Sequence, residues 1–334
     1  MRIAPDALHN RIVSLLTAHG ASHAQADATA RHMVWCEGAG RHNFGIERMP
    51  ILVKRLRTGV LNGNAGIGVE PIAPSLVRID GGGGFGYAAA ERAMQEAIAL
   101  ARRSGVAAAG VRNSNFFGAG AYYVNLAADA GMIGLALSNS FPKVVAHGGL
   151  KPVLGTNPFA FGAPRRTGEH LLFDMATSAL AGSTVREHME KGTALPEGLA
   201  IDAEGRPITD PAQVSAGALL PFGGAKGFGL SLLVEILAGV ITGAGIGDGV
   251  ASMYSDFSRN GDNGHFLLAV DVARFMPMDE YHARFETLVA MLKTSGDGIL
   301  LPGEHRWAAR RDSAVHGIIV DEAVWRKLGD LLPV

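Results

Sequence analysis

Asp80-Gly81-Gly82-Gly83-Gly84-Phe85-Gly86 is the stretch on which the fold assignment turns. Gly81, Gly83 and Gly86 match the G-x-G-x-x-G spacing with which a strand, a tight turn and a helix cradle a dinucleotide pyrophosphate. The flanks suit that motif: residues 76–79 form an apolar strand candidate, and residues 88–103 have helical periodicity. The acidic residue that should follow about 20 positions on, to hold the ribose, is missing. The next strand candidate, residues 106–111, ends instead at Arg112. Arg112 is a candidate for a 2′-phosphate, or an exposed arginine after a turn. With 45 glycines in 334 residues a chance match is easy. The stretch therefore reads as a tight turn before a packing helix, and the fold as one other than Rossmann.

Working outward, Leu8, Ile12, Leu15 and Leu16 form one helical stripe in residues 5–19. A second helix is expected from Ser22 or His23 to about Glu37, and a third over about 49–58. Short β-rich pieces begin near Ile67. Beyond the glycine turn, helix is expected at 119–130 and 226–241, and strand at 132–137, 159–163, 170–175 and 265–272. Helix returns at 280–295 and 321–332. The pattern predicts an α/β protein. Residues 1–70 with 275–334 would form a helical domain from both ends, around an α/β domain of residues 71–274.

Hydrophobic residues make up 48% of the chain and charged residues 18%, enough for a large packed core. Thirty basic residues nearly balance 31 acidic ones, so charge gives no case for nucleic acid or an anionic membrane. Cys36 is alone; with no apolar leader in Met-Arg-Ile-Ala-Pro-Asp, a cytoplasmic location is expected. Residues 227–245 carry one charge, Glu235, and are expected to form a buried helix rather than a membrane span. His9, His19, His23 and His32 are spread along two helices and are expected to face solvent. No metal site is expected. No G-x-S-x-G serine motif is present, and Cys36 reads as core.

A ladder of short motifs runs through the chain. Its rungs are Asn43-Phe44-Gly45-Ile46-Glu47-Arg48-Met49-Pro50, Asn113-Ser114-Asn115-Phe116-Phe117-Gly118, Gly155-Thr156-Asn157-Pro158, Asp174-Met175-Ala176-Thr177-Ser178, Thr209-Asp210-Pro211, Gly224-Ala225-Lys226-Gly227 and Pro302-Gly303-Glu304. Their order and spacing, over residues 38–306, resemble the malate/L-lactate dehydrogenase family of NAD(P)-dependent oxidoreductases. That family includes ureidoglycolate, sulfolactate and 2,3-diketogulonate enzymes and reductases of cyclic imino acids. It is unrelated to the Rossmann-type lactate and malate dehydrogenases. The resemblance implies a mixed-sheet, non-Rossmann cofactor domain, and an active site completed across the interface of a homodimer.

It also implies roles. Phe173, Asp174, Met175, Ala176, Thr177 and Ser178 match the loop that contacts NAD(P)H. Ala225, Lys226, Gly303, Glu304 and His305 match further cofactor contacts. Lys226 opens a helix, where its charge and the free N–H groups favour an anion; from position alone it is equally an ordinary surface lysine. Glu304 is a candidate for ribose hydroxyls or for a salt bridge. Arg48 matches the arginine that holds a substrate carboxylate, which guanidinium geometry suits; the alternative is a surface arginine paired with Glu47. Thr156, Asn157 and His147 are candidates for lining the same cleft.

Three rungs depart from the family pattern. Phe44 replaces the acid/base histidine, Phe116 replaces a second histidine, and Ala225 a third. Phenylalanine cannot transfer a proton, so either the substrate brings its own or another group supplies it. A cyclic iminium already carries a proton and needs only a hydride and a carboxylate clamp. Two phenylalanines would wall an apolar, ring-accepting pocket. Otherwise His42, His147 or Asp174 takes over, Asp174 by a pKa raised in an apolar cleft. The expected activity is reduction of a small 2-oxo, 2-hydroxy or cyclic 2-imino carboxylic acid, with imines favoured. The alternative is a lyase, hydrolase or metabolite-binding protein on the same scaffold.

Overall fold

The central sheet has seven strands, in the order β2 (Gly68–Ala73), β3 (Leu76–Asp80), β4 (Val106–Ser114), β12 (Asn263–Asp271), β5 (Met132–Ser138), β8 (Phe159–Ala163) and β9 (Leu171–Met175). Only β3 and β4 are parallel; every other neighbouring pair is antiparallel. A Rossmann sheet is mostly parallel, so this mixed sheet excludes that fold. The computed structural model describes residues 1–331; Leu332, expected to end the last helix, lies with Pro333 and Val334 outside the described residues. Helices α4 (Gly86–Ser104) and α5 (Gly120–Asp129) pack on the sheet. Ala89, Ala90, Ala93, Ala97 and Ala101 are buried along α4, and these small side chains let its backbone approach the strands closely.

The glycine turn is filled by its own chain. Gly81 N–H donates to the Arg112 carbonyl at 3.0 Å, and Gly83 N–H to that of Asn113 at 2.9 Å. Arg112 pairs with Asp80 of the same turn at 3.4 Å. A Cβ on Gly86 would stand 1.9 Å from the Asn115 carbonyl oxygen. The turn leaves no phosphate cradle; it seats residues 113–116.

Helices α1 (Pro5–Ala18), α2 (His23–Gly38) and α3 (Met49–Arg57) bury Leu8, Ile12, Leu15, Leu16, Met33, Met49 and Leu52 in one apolar cluster. Each buried leucine contributes roughly 1.5–3 kcal/mol. Strand β1 (Arg2–Ile3) pairs with β13 (Ile318–Ile319), so both ends of the described chain meet. Helix α9 (Glu304–His316) lies against α2, and α10 (Glu322–Asp330) against α3. Helix α8 (Met278–Thr294), expected in the helical domain, is instead tied to the loop after β8 through Arg165–Glu286 and Arg166–Asp279. Strand β2 begins at Gly68, where the β-rich pieces are expected to start, so the helical part ends before the expected boundary at residue 70.

A small sheet, β10 (Ala200–Ile201), β11 (Ala218–Leu219), β6 (Val144–Val145) and β7 (Pro152–Leu154), lies near α6 (Gly182–Lys191) and α7 (Ala225–Glu235). Helix α7 continues as a π-helical turn, Ile236–Val240. The expectation of a buried helix fails here: Leu232, Leu233, Ile236, Val240 and Ile241 are exposed. Residues with spacing i, i+1, i+4 and i+8 share a helix face, so the exposure is a continuous apolar row. Among the described residues, no helix is long and apolar enough to cross a membrane.

Candidate active site

The first rung is bent into shape by Glu37, a buried carboxylate at the end of α2 that carries no motif signal. Its Oε1 accepts the Ile46 N–H at 2.8 Å and its Oε2 pairs with His42 Nδ1 at 2.5 Å. That hydrogen bond pushes the His42 pKa up. A Cβ at Gly45 would lie 2.0 Å from Glu37 Oε1, so only glycine lets the loop close on the carboxylate. The result is two short 3₁₀ turns, His42–Phe44 and Ile46–Arg48, that present Phe44 and Arg48.

Phe44 and Phe116 are near-parallel, with ring centroids 6.5 Å apart at 11°. The Arg48 guanidinium carbon sits 5.6 Å from the Phe116 ring centre and 5.7 Å from that of Tyr254. Arg48 Nε donates to the Asn43 carbonyl at 2.7 Å, and Nη1 donates to the Tyr254 hydroxyl. Among the described residues Arg48 has no carboxylate partner; neighbouring Glu47 faces Arg186 at 3.6 Å instead. Arg48 thus keeps unspent N–H donors on a half-buried, aromatic-lined cation.

Two buried histidines brace the second rung. His32 was expected to face solvent, yet its exposure is 0%. Its Nε2 accepts the Ala119 N–H at 2.9 Å, and Tyr87 and Tyr122 meet its ring edge-on. On the other side His265 stacks on Phe117 at 4.8 Å and lies between the Ser138 and Ser114 hydroxyls at 2.8 and 3.0 Å. Desolvation drives both pKa values down to about 3, so both imidazoles are neutral structural parts. Asn115 donates to the Gly83 and Gly84 carbonyls at 3.0 and 2.8 Å, fixing where Phe116 leaves the strand.

Two of the segments matched to cofactor contacts lie side by side. Leu172 N–H donates to the Pro302 carbonyl at 3.0 Å, and Arg306 Nη1 to the Leu172 carbonyl at 2.8 Å. This sets Gly303, Glu304 and exposed His305 beside Phe173 and Asp174. Asp174 Oδ2 accepts the Ala121 N–H at 3.0 Å in the first turn of α5. Burial raises the Asp174 pKa, opposed by Arg306, the Ala121 N–H and Arg41. Glu304 Oε2 accepts from Lys293 at 2.7 Å and from the Leu301 N–H at 2.9 Å, so the salt-bridge alternative describes this oxygen.

Thr177 and Ser178, matched to the cofactor loop, carry hydroxyls of a kind that suits phosphate and ribose oxygens. Both are buried, and both hydroxyls are spent: Thr177 on the Asn157 carbonyl at 3.0 Å, Ser178 on that of Leu180 at 2.8 Å. Asn157 is fully buried and joins the Ser140 N–H, at 3.2 Å, to Glu235 of α7, at 2.7 Å; it lines no cleft. Half-buried Thr156 donates its N–H to Ser140 Oγ at 3.0 Å. Met175 and Ala176 are half-buried beside it. Ala225 and Lys226 are exposed at the start of α7, carried there by the Ser178–Pro221 bridge. Exposed His147 approaches the same corner, its Cε1 3.5 Å from where a Gly224 Cβ would be. Among the described residues Lys226 makes no ion pair, and no cluster of three or more metal-ligating side chains occurs.

Sequence reasoning missed Tyr254, Glu37, His32 and Arg55. Tyr254 lies in a polar loop without periodicity, Glu37 is buried by the turn that follows its helix, and His32 and Arg55 are polar residues buried by contacts distant in sequence.

Residues 3–329 match the malate/L-lactate dehydrogenase family. The L-sulfolactate dehydrogenase of Methanothermobacter thermautotrophicus is 37% identical, covering 98% of this chain and 95% of that protein. The Delta(1)-pyrroline-2-carboxylate/Delta(1)-piperideine-2-carboxylate reductase of Pseudomonas putida is 35% identical, covering 99% and 97%. The crystal structure of delta1-piperideine-2-carboxylate reductase from Pseudomonas syringae superposes with a TM-score of 0.92 at 34% identity, covering 99% of each chain. With fold, ladder and relatives in agreement over nearly its whole length, the chain belongs to the malate/L-lactate dehydrogenase family of NAD(P)-dependent oxidoreductases.

Proposed function

We propose that the chain reduces a small cyclic 2-imino carboxylic acid in preference to a 2-oxo acid, or in reverse oxidises the 2-hydroxy acid. The observation that carries this is Arg48, which lies over Phe116 beside Phe44 with no carboxylate partner among the described residues. A guanidinium so placed suits a substrate carboxylate. His42, in the same turn as Phe44, is engaged by Glu37, and among the described residues no histidine ring stacks on Phe44 or Phe116; an iminium needs none. The aromatic faces suit a flat cationic ring. Relatives named for sulfolactate and for pyrroline- and piperideine-2-carboxylate support a small carboxylic acid.

NAD(P)H, when bound, supplies the hydride. The residues fit a dinucleotide: unpaired Lys226 stands at the first turn of the 11-residue α7, where backbone N–H groups are free. Phe173, Asp174, Met175 and Ala176, with Ala225, Gly303, Glu304 and His305, would line its path. Thr177 and Ser178 would act through the backbone they fix. Asp174 orients α5 and is a secondary acid. Thr156 and His147 would stand at the cleft edge, with Asn157 holding its wall. The reading extends to a homodimer in which the apolar row of α7 meets a second copy.

Binding of NADPH and NADH by calorimetry, in parallel with turnover of piperideine-2-carboxylate and pyruvate, tests the proposal. Dinucleotide binding with faster imine turnover is expected. Absence of dinucleotide binding would sink it.

A further inference from the structure

Phe44 and Phe116 carry no proton to give, but the residues around Arg48 still include a donor. Tyr254 stands in the same cluster, with Arg48 over its ring and Phe141 against its edge at 6.0 Å. Its hydroxyl oxygen accepts from Arg48 Nη1. A phenol has one O–H to give, and among the described residues that proton has no acceptor. Tyr254 is also 48% exposed, so a proton lost from it can be replaced from water. The other tyrosine touching Phe116, Tyr87, meets it edge-on at 5.9 Å but is wholly buried, and burial pushes its pKa up.

The Tyr254 loop is held from below. Arg55 of α3 is 2% exposed and its guanidinium donates to the carbonyls of Met253, Asp256 and Arg259, at 3.5, 2.7 and 3.3 Å. Lys54, one residue earlier, lies 4.0 Å from the Phe257 ring centre. The helix that follows Arg48 therefore also fixes the loop that carries Tyr254. Hydroxyl and guanidinium are positioned by one rigid unit, as a catalytic pair requires.

We infer that Tyr254 is the proton donor for carbonyl substrates, replacing the imidazole absent at Phe44, so that 2-oxo acid reduction survives as a second activity of this site. The inference rests on the reductase reading above. As hydride reaches the carbonyl carbon, the C=O π pair moves to oxygen and takes the Tyr254 Oη proton. The bond broken is O–H of the phenol and the bond formed is O–H of the 2-hydroxy acid. The phenolate, beside the Arg48 cation, regains a proton from water. The net reaction consumes one 2-oxo acid, one NAD(P)H and one proton, and yields one 2-hydroxy acid and one NAD(P)⁺. An iminium bypasses Tyr254.

The test compares wild type and Tyr254→Phe on pyruvate, oxaloacetate and sulfopyruvate against piperideine-2-carboxylate. Calorimetric binding of oxamate and of pyrrole-2-carboxylate is measured alongside. The variant is expected to lose on the order of 100-fold in kcat for the 2-oxo acids, the size of a lost general acid. Imine kcat should fall far less, by whatever slackening of Arg48 costs. Oxamate, whose carbonyl can accept the phenol, should bind about 3–10-fold more weakly, and pyrrole-2-carboxylate much less so. Equal losses for both substrate classes would reduce Tyr254 to a prop for Arg48 and overturn the inference. So would wild-type protein that reduces the imine but no 2-oxo acid, an outcome that leaves the reductase reading standing. Turnover of 2-oxo acids alone, lost in the variant, would uphold Tyr254 and remove the imine preference. Turnover of neither class would end both.

Discussion

At the scale of residues, the site is defined by what replaced what. Phe44, at the rung where the resemblance implies an acid/base histidine, is packed near-parallel to Phe116. Phe44→His should therefore raise kcat/KM for 2-oxo acids while lowering imine turnover, measured on pyruvate and piperideine-2-carboxylate; no change in either would remove Phe44 from the site. Arg48→Lys keeps the charge but loses the planar fork. KM for carboxylate substrates should rise roughly 10–100-fold, the worth of a charge-assisted bidentate contact. Steady-state kinetics would show it, and an unchanged KM would place the carboxylate elsewhere. The candidate residues were legible because each sits in a motif of fixed local order. Tyr254 was not, since it joins Arg48 only through a contact 206 positions long in sequence. The spent hydroxyls of Thr177 and Ser178 illustrate the converse: residue type alone cannot say whether a polar group is already satisfied inside the fold.

At the scale of elements, periodicity carried most of the fold. Helices α1, α4 and α5 and strands β4, β5 and β8 were expected near their observed bounds, because their apolar spacing records which face meets the core. Helix α6, with few apolar residues, and α9, whose residues are mostly polar, are not among the expected helices. Strand β12 shows what spacing cannot give: it arrives late in the chain yet sits between β4 and β5. The exposed row on α7 is the element with a testable consequence. Ile236→Asp puts a charge in that row and should convert a dimer to a monomer while leaving helical content intact. Sedimentation velocity with circular dichroism would check this; an unchanged sedimentation coefficient would remove the α7 row as the proposed dimer interface.

At the scale of the whole molecule, two buried neutral imidazoles couple stability to pH. His32 and His265 have folded pKa values of about 3, below the ordinary 6.5. Below 6.5 the unfolded chain binds protons that the folded chain does not, so stability is full above that pH and is lost on acidification toward 3. Each imidazole contributes a slope of about 1.4 kcal/mol per pH unit in that window. Asp174, with its raised pKa, acts in the opposite sense and offsets part of this. Thermal unfolding should show Tm falling between pH 6.5 and 5, less steeply in His32→Gln. A flat profile would mean that these imidazoles do not stay neutral.

Arg55 is a buried cation whose partners are three carbonyl oxygens of one loop. Changes of substrate need not begin at the wall of the pocket. In a laboratory-evolution campaign selecting for a larger or smaller acid, substitutions at Arg55, Asp256 or Arg259 should recur alongside those at Phe44 and Phe116. Each would re-aim the Tyr254 loop without touching anything that touches the substrate, making the seam between α3 and this loop a tuning screw for selectivity.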